Sequence, residues 1–261
     1  MGRPRDEHHR RTRHRHHQQQ RHPAHHRPAP RRPRPAATGT AATAAVPAAA
    51  TALVVVDLQN DFCAGEVAAA RFPGDPARLA AVAGRTAAAV DRARALGVEV
   101  VFVRFLGDPA HQGPAWQRRD AALGKRAKCL EGSWGAEFHA ALPRPDEAVF
   151  TKPACFDAFL DPAFEPHLRA RGVRHLVLAG LFTDVCVDST ARTAFQRGFH
   201  LTVLRDCTTA LHLADQDILR FMERLYGARV TDLGDGGPTD EQPFALPELT
   251  GSAARTKVGR P

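Results

Sequence analysis

The chain has 261 residues, a formal net charge of +8, 43% hydrophobic residues and five cysteines. The positive charge belongs to the first 50 residues, which carry 11 Arg, 8 of the 14 His and only Asp6 and Glu7 as acids, so the remaining 211 residues are near neutral at −1 and the high pI is not a property of the fold. Cys63, Cys129, Cys155, Cys186 and Cys207 are odd in number, widely spread and without a C-x-x-C pair, which argues against a disulfide framework and a structural zinc site and suits a reducing cytoplasm.

Residues 1–50 form an Arg/His/Pro arm. Its first 35 residues hold no aromatic and no hydrophobic period, so the arm is expected to be disordered. It reads as a solvated extension, including one introduced by an upstream start codon; the competing reading is an arm that binds nucleic acid or an anionic surface. Arg31-Arg32 before an Ala-rich run resembles a twin-arginine signal, but that run continues into the apolar residues 53–57, which are needed as a first strand. No stretch is long and apolar enough to span a membrane, so a cytoplasmic location is expected.

Residues 53–57 read as a buried strand ending in Asp57. Asp75-Pro76 opens a helix that stops at Gly97, and VEVVFVRF (98–105) is the next strand. An irregular region follows over 107–145, with short helices expected around Trp116 and over 137–142. Residues 147–151 read as a strand, 161–171 as a helix, 173–179 as a strand, and a helix runs from about Asp184 to Gly198. Strand 199–204, helix 214–226 and strand 229–231 complete the pattern, and residues 234–261 read as a flexible tail. Four helical patterns stop at a glycine and are each followed by a β-rich run. That rhythm predicts a single α/β domain over 51–233: a three-layer, doubly wound, mostly parallel sheet with helices on both faces.

In such a sheet ligands bind beyond the carboxyl ends of the strands. Asp57 ends the first strand, Lys152 ends the strand before Pro153, and Cys186 lies beyond the strand that ends at Ala179. A thiol in the first turn of a helix, near a cation, is expected to have its pKa lowered from about 8.5 by a unit or more. Taken singly, Asp57 reads equally as a loop cap, Lys152 as a surface lysine and Cys186 as a small core residue. Together they supply a nucleophile, a proton acceptor and a cation, the set that covalent acyl transfer requires.

V-V-V-D-L-Q-N-D-F (54–62), the lysine in F-T-K-P-A-C-F-D-A-F (150–159) and G-L-F-T-D-V-C-V-D-S-T-A-R-T-A (180–194) resemble the isochorismatase-like cysteine hydrolases, in the right order and over about residues 52–233. E-G-S-W-G-A-E-F (131–138) is similar to members acting on N-carbamoyl and related amides, the N-carbamoylsarcosine amidase and ureidoacrylate hydrolase branch. The resemblance implies six strands in the order 3-2-1-4-5-6, an Asp57–Lys152–Cys186 triad, and a cis peptide at Leu181–Phe182 that sets the Phe182 and Cys186 N–H groups as an oxyanion hole. It also implies a homo-oligomer, dimer or tetramer, and no cofactor.

Two departures bear on substrate. Relatives that hydrolyse nicotinamide hold a metal with an Asp and two His after the second strand; here that region offers only Asp108 and His111, and no metal is expected. Members that hydrolyse isochorismate lack the cysteine, so Cys186 argues against that reaction. Phe62, Trp134, Phe156 and Phe182 are the candidate substrate walls. Cys155 is a rival thiol without the strand–turn–helix setting, and the six histidines after the arm read as surface or capping residues.

The function expected is cysteine-dependent hydrolysis of an amide, ureido or carbamoyl C–N bond in a small molecule, through a thioester on Cys186. The alternatives are hydrolysis of a natural-product lactam or amide on the same triad and, in a different class, nucleic-acid binding through the basic arm.

Overall fold

Burial along the first strand sets the architecture. In β1 (Thr51–Val56) every residue is buried; Leu53 and Val55 enter one core, while Ala52, Val54 and Val56 enter another. A strand buried on both faces must lie at the middle of a sheet covered on both sides. The computed structural model, which describes residues 50–72, 75–234 and 242–245, shows such a sheet.

Six strands, β1, β2 (Glu99–Leu106), β3 (Ala148–Pro153), β4 (His175–Leu181), β5 (His200–Thr209) and β6 (Arg229–Thr231), pair in parallel in the order 3-2-1-4-5-6. The short helices α1 (Asn60–Cys63) and α2 (Gly65–Arg71) and the long α3 (Pro76–Ala95) serve one core through residues such as Phe62, Leu79, Val82 and Val90. A separate helix, α4 (Pro114–Ala122), follows β2 and has no buried residue. On the other face α5 (Phe164–Ala170), α6 (Asp188–Gln196) and α7 (Asp215–Tyr226) contribute Phe164, Leu168, Ala191, Ala194, Ile218 and Met222. The expected architecture and strand order are therefore those observed. Helix α3 begins where Asp75 caps it, its carboxylate accepting from the Arg78 N–H at 3.2 Å.

The differences are local. No helix occupies 137–142; Phe138 instead forms an antiparallel bridge with Gln59. The helix expected over 161–171 is confined to α5, preceded by a 3₁₀ turn at Ala158–Leu160. Strand β4 runs to Leu181, and Thr183–Val187 forms a π-helical turn before α6, so Cys186 sits in that turn and not in the first turn of an α-helix.

The tail expected from Gly234 on contains a 3₁₀ turn, Gln242–Phe244, whose Phe244 is buried in the first core and whose carbonyl accepts from the Thr51 hydroxyl at 3.1 Å. An apolar side chain inserted there makes these residues part of the domain. The arm reading, residues 1–49, and the rest of the tail lie outside the described residues. Among the described residues no helix is long and apolar enough to cross a membrane.

Candidate active site

The three chemical groups come from three different strand ends at the carboxyl edge of the sheet. Asp57 follows β1 directly with φ +49°, its N–H donating to the Val103 carbonyl at 2.8 Å. Lys152 lies opposite Phe105 of the neighbouring strand near the end of β3. Cys186 arrives from β4 through the π turn. The approach of β4 to β1 depends on Gly180, with φ +106°: a Cβ there would lie 2.0 Å from the Val56 carbonyl oxygen. The next peptide but one, Leu181–Phe182, is cis.

Lys152 and Asp57 are fully buried, and the Lys152 ammonium donates to Asp57 Oδ2 at 2.7 Å and to the Phe156 carbonyl at 3.0 Å. Asp57 Oδ1 is also buried and accepts no hydrogen bond of ordinary geometry. Cys186, 6% exposed, is in the field of both groups, its thiol within reach of Asp57 as a weak donor and of the Lys152 ammonium as a weak acceptor.

Burial raises the Asp57 carboxyl above its ordinary pKa, although Lys152 and the thiol oppose it. Burial works to lower Lys152, but Asp57 and Cys186 outweigh it and the ammonium is held above its usual value. The Cys186 thiol is pushed well up, first by burial and then by the Asp57 charge, against the pull of Lys152. This corrects the expectation of a lowered thiol pKa: the buried carboxylate and the loss of water outweigh the cation, so the resting sulfur carries its proton. What the arrangement offers is a thiol beside a carboxylate whose own proton affinity has been raised, so that a proton can pass between them.

Cys186 lines a cavity of about 440 Å³, whereas the fully buried Asp57 and Lys152 do not. Phe62, Phe156 and Phe182 line it as expected, joined by Phe105 and Trp116, which sequence reasoning had not placed at the site. Their rings pack on one another, Trp116 against Phe156 at 4.8 Å between centroids and Phe62 edge-on to Phe182 at 5.9 Å. Trp134 does not line this cavity. It is 57% exposed on a 3₁₀ turn, beside Gly65, because the turn Trp134–Ala136 is pinned through its backbone: the Trp134 carbonyl accepts from the Asn60 amide at 2.8 Å.

Gln59, Asn60 and Asp61 are more than turn residues. Gln59 is fully buried and holds Phe105 N–H, Phe105 C=O and Ala136 C=O through its side chain. Asp61 accepts from the Cys129 N–H at 2.6 Å. Cys155 is half-buried, its sulfur 3.8 Å from the Asp157 carbonyl. Among the described residues no three His, Cys, Asp or Glu side chains are grouped to hold a metal. Asp108 instead accepts from the Glu131 N–H at 3.1 Å, and His111 is exposed.

The isochorismatase domain model matches residues 51–235. The chain belongs to that family. This isochorismatase-family chain is 35% identical over 182 residues to the ureidoacrylate amidohydrolase RutB of Variovorax paradoxus (strain S110), covering 63% of the chain and 70% of the relative. Its fold matches N-carbamoylsarcosine amidase from Thermoplasma acidophilum with a TM-score of 0.59 and 26% identity, over 71% of the chain and 98% of that structure. Nicotinamidase PncA from Bacillus subtilis shares the fold, with a TM-score of 0.56 and 22% identity over 70% of the chain and 99% of that structure. The kinship is with hydrolases of carbon–nitrogen bonds other than peptide bonds, and the chain is a hydrolase of this kind.

Proposed function

We propose that the protein is a cysteine-dependent amidohydrolase that cleaves an amide, ureido or carbamoyl C–N bond of a small molecule. The observation that carries this reading is that Cys186, which lines the cavity, lies in the field of the buried Asp57–Lys152 pair. The names of relatives, a ureidoacrylate amidohydrolase and an N-carbamoylsarcosine amidase, agree with it.

The resting thiol passes its proton to Asp57 as its sulfur attacks the substrate carbonyl. Lys152 keeps the carboxylate in place and offsets the negative charge that forms on sulfur. The carbonyl oxygen, becoming an oxyanion, takes hydrogen bonds from the Phe182 and Cys186 N–H groups. As the C–N bond breaks, Asp57 returns the proton to the departing nitrogen and a thioester or thiocarbamate remains on Cys186. Water then attacks that carbonyl, giving one proton to Asp57, and the proton returns to sulfur as the acid or carbamate leaves.

Ammonia release over a panel of ureido acids, N-carbamoyl amino acids, biuret and nicotinamide, together with ring opening of lactams followed as the amino acid formed, tests the reading, with Cys186→Ala as the blank. Trapping a covalent adduct of substrate mass on Cys186 supports it; undiminished turnover by Cys186→Ala sinks it.

A further inference from the structure

The lining of the cavity carries more positive charge than the protein itself neutralises. Arg71, Arg119, Lys125 and Lys128 all line it. Arg119 has a partner, since its Nε and Nη2 both donate to Asp120 Oδ1, at 2.9 and 2.7 Å. The Asp120 charge also acts on the other three, without an ion pair to any of them. Among the described residues no carboxylate pairs with Arg71, Lys125 or Lys128, and Arg71 Nε is buried without an acceptor. Lys128 is 8% exposed, and its ammonium lies 5.4 Å from the centre of the Phe105 ring. Arg71 lies 5.7 Å over the Phe62 ring.

An ammonium on a largely buried lysine, against one ring and with Asp120 acting on it only through its field, is suited to accept an anion that a ligand supplies. Asp184, on the same cavity, does not fill that role: its carboxylate accepts from the Leu211, His212 and Leu213 N–H groups.

We infer that Lys128 and Arg71 form an anion subsite that selects substrates with a carboxylate on the part of the molecule remote from the scissile C–N bond, Lys128 being the specificity-determining residue. This rests on the hydrolase reading above for the position of the scissile bond, but not for the existence of the subsite. A carboxylate there would accept from the Lys128 ammonium and the Arg71 guanidinium while the aromatic walls sandwich the intervening carbons, leaving the carbonyl at Cys186.

The electrostatics agree. Burial, and then the Arg71 charge, bring Lys128 down to about 8, against Asp120 and Cys129, which favour the cation, and with Lys125 opposing it. Burial also lowers Arg71 and Lys125, which is what crowded cations awaiting an anion show. The Lys128 charge is half lost at about pH 8 and falls further above it, so KM for an acid substrate should rise through that range while kcat does not follow.

Calorimetry on the full-length Cys186→Ala protein tests the subsite without turnover, using 3-ureidopropanoate and its neutral partner 3-ureidopropanamide. The acid is expected to bind at least ~10-fold more tightly. Adding Lys128→Met should remove that preference and leave the amide's affinity within ~3-fold, whereas Lys128→Arg should preserve it. Equal binding of acid and amide, or equal weakening of both by Lys128→Met, overturns the inference.

Should Cys186→Ala not fold by circular dichroism, protection of the wild-type thiol from iodoacetamide by the same two compounds gives the same comparison. Preferential binding of the acid with no ammonia release from wild-type protein would uphold the subsite and count instead against the ureido cleavage proposed above.

Discussion

Lys152 Nζ and Asp57 Oδ2 stand 2.7 Å apart with neither side chain exposed to solvent. Removing one member of such a pair strands the other as a buried charge, which typically costs ~3–5 kcal/mol. Lys152→Ala should therefore lose both stability, on that order by urea denaturation, and turnover, by at least ~100-fold. Asp57→Asn should lose turnover as severely. Cys186→Ala removes only a sulfur and should unfold within ~1–2 kcal/mol of wild type. A Lys152→Ala protein that is as stable as wild type would show that the pair is not closed to water.

The thiol gives a sharper test, because the same carboxylate that serves turnover holds the sulfur in its protonated form. Burial and the Asp57 charge both raise the Cys186 pKa, so alkylation by iodoacetamide at pH 7 should be slower than for a free cysteine and should still be climbing above pH 9. In Asp57→Asn the anion is gone and Lys152 remains, so the thiol should ionise at lower pH. The variant that turns over least should then alkylate faster than wild type at pH 8, as peptide mass mapping of Cys186 would show. Slower alkylation would mean that Asp57 acts on the sulfur mainly as its base.

His175, expected at the surface or on a cap, is fully buried between Thr51 Oγ1 at 3.1 Å and Thr202 Oγ1 at 2.9 Å. Burial, with the Arg229 charge as the next cause, lowers it to about 3. The folded state thus takes up no proton there between pH 6.5 and 3, while the unfolded chain does. Its contribution is complete above pH 6.5 and is lost as pH falls, at up to ~1.4 kcal/mol per pH unit. His175→Gln should flatten the urea midpoint against pH across pH 4–6.5; an unchanged slope would place the acid sensitivity elsewhere.

Gly180 should tolerate no side chain. A Cβ at this position meets Val56 backbone atoms at 2.0 to 2.8 Å, and φ +106° is unfavourable for any L side chain. Gly180→Ala is expected to cost at least ~3 kcal/mol and to shift Cys186 away from Asp57, lowering kcat more than KM. Gly97, with nothing within 4 Å of its added Cβ, is the matched control: Gly97→Ala should lose stability through φ alone and keep its kcat.

What the sequence disclosed follows the periodicity of the chain. Buried strands read as apolar runs, and the helices that precede Gly97, Gly172, Gly198 and Gly227 end within two residues of them, so the parallel sheet and the meeting of three strand ends were accessible, while the strand order followed only from the family resemblance. The π turn was not, because Thr183–Val187 keeps a helical hydrophobic pattern whichever way its hydrogen bonds run. Nor was the path of residues 107–145, which is fixed by side chains of Gln59, Asn60 and Asp61 reaching across 68 or more residues for some contacts. That path decides that Trp116 enters the cavity and Trp134 does not. The direction of the Cys186 shift was misjudged because it depends on burial and on where the nearest anion lies, which spacing does not encode.

Gln59 carries a last consequence. Its amide gives and receives with Phe105 as one more backbone rung would, and its remaining hydrogen fastens Ala136. Where β1 has run out, a side chain continues the sheet by one step and ties the far segment to it. The chamber above the sulfur is thus built with its walls already braced, and a bulkier guest should be admitted by trimming an aromatic ring more readily than by loosening the hinge points of the long loop.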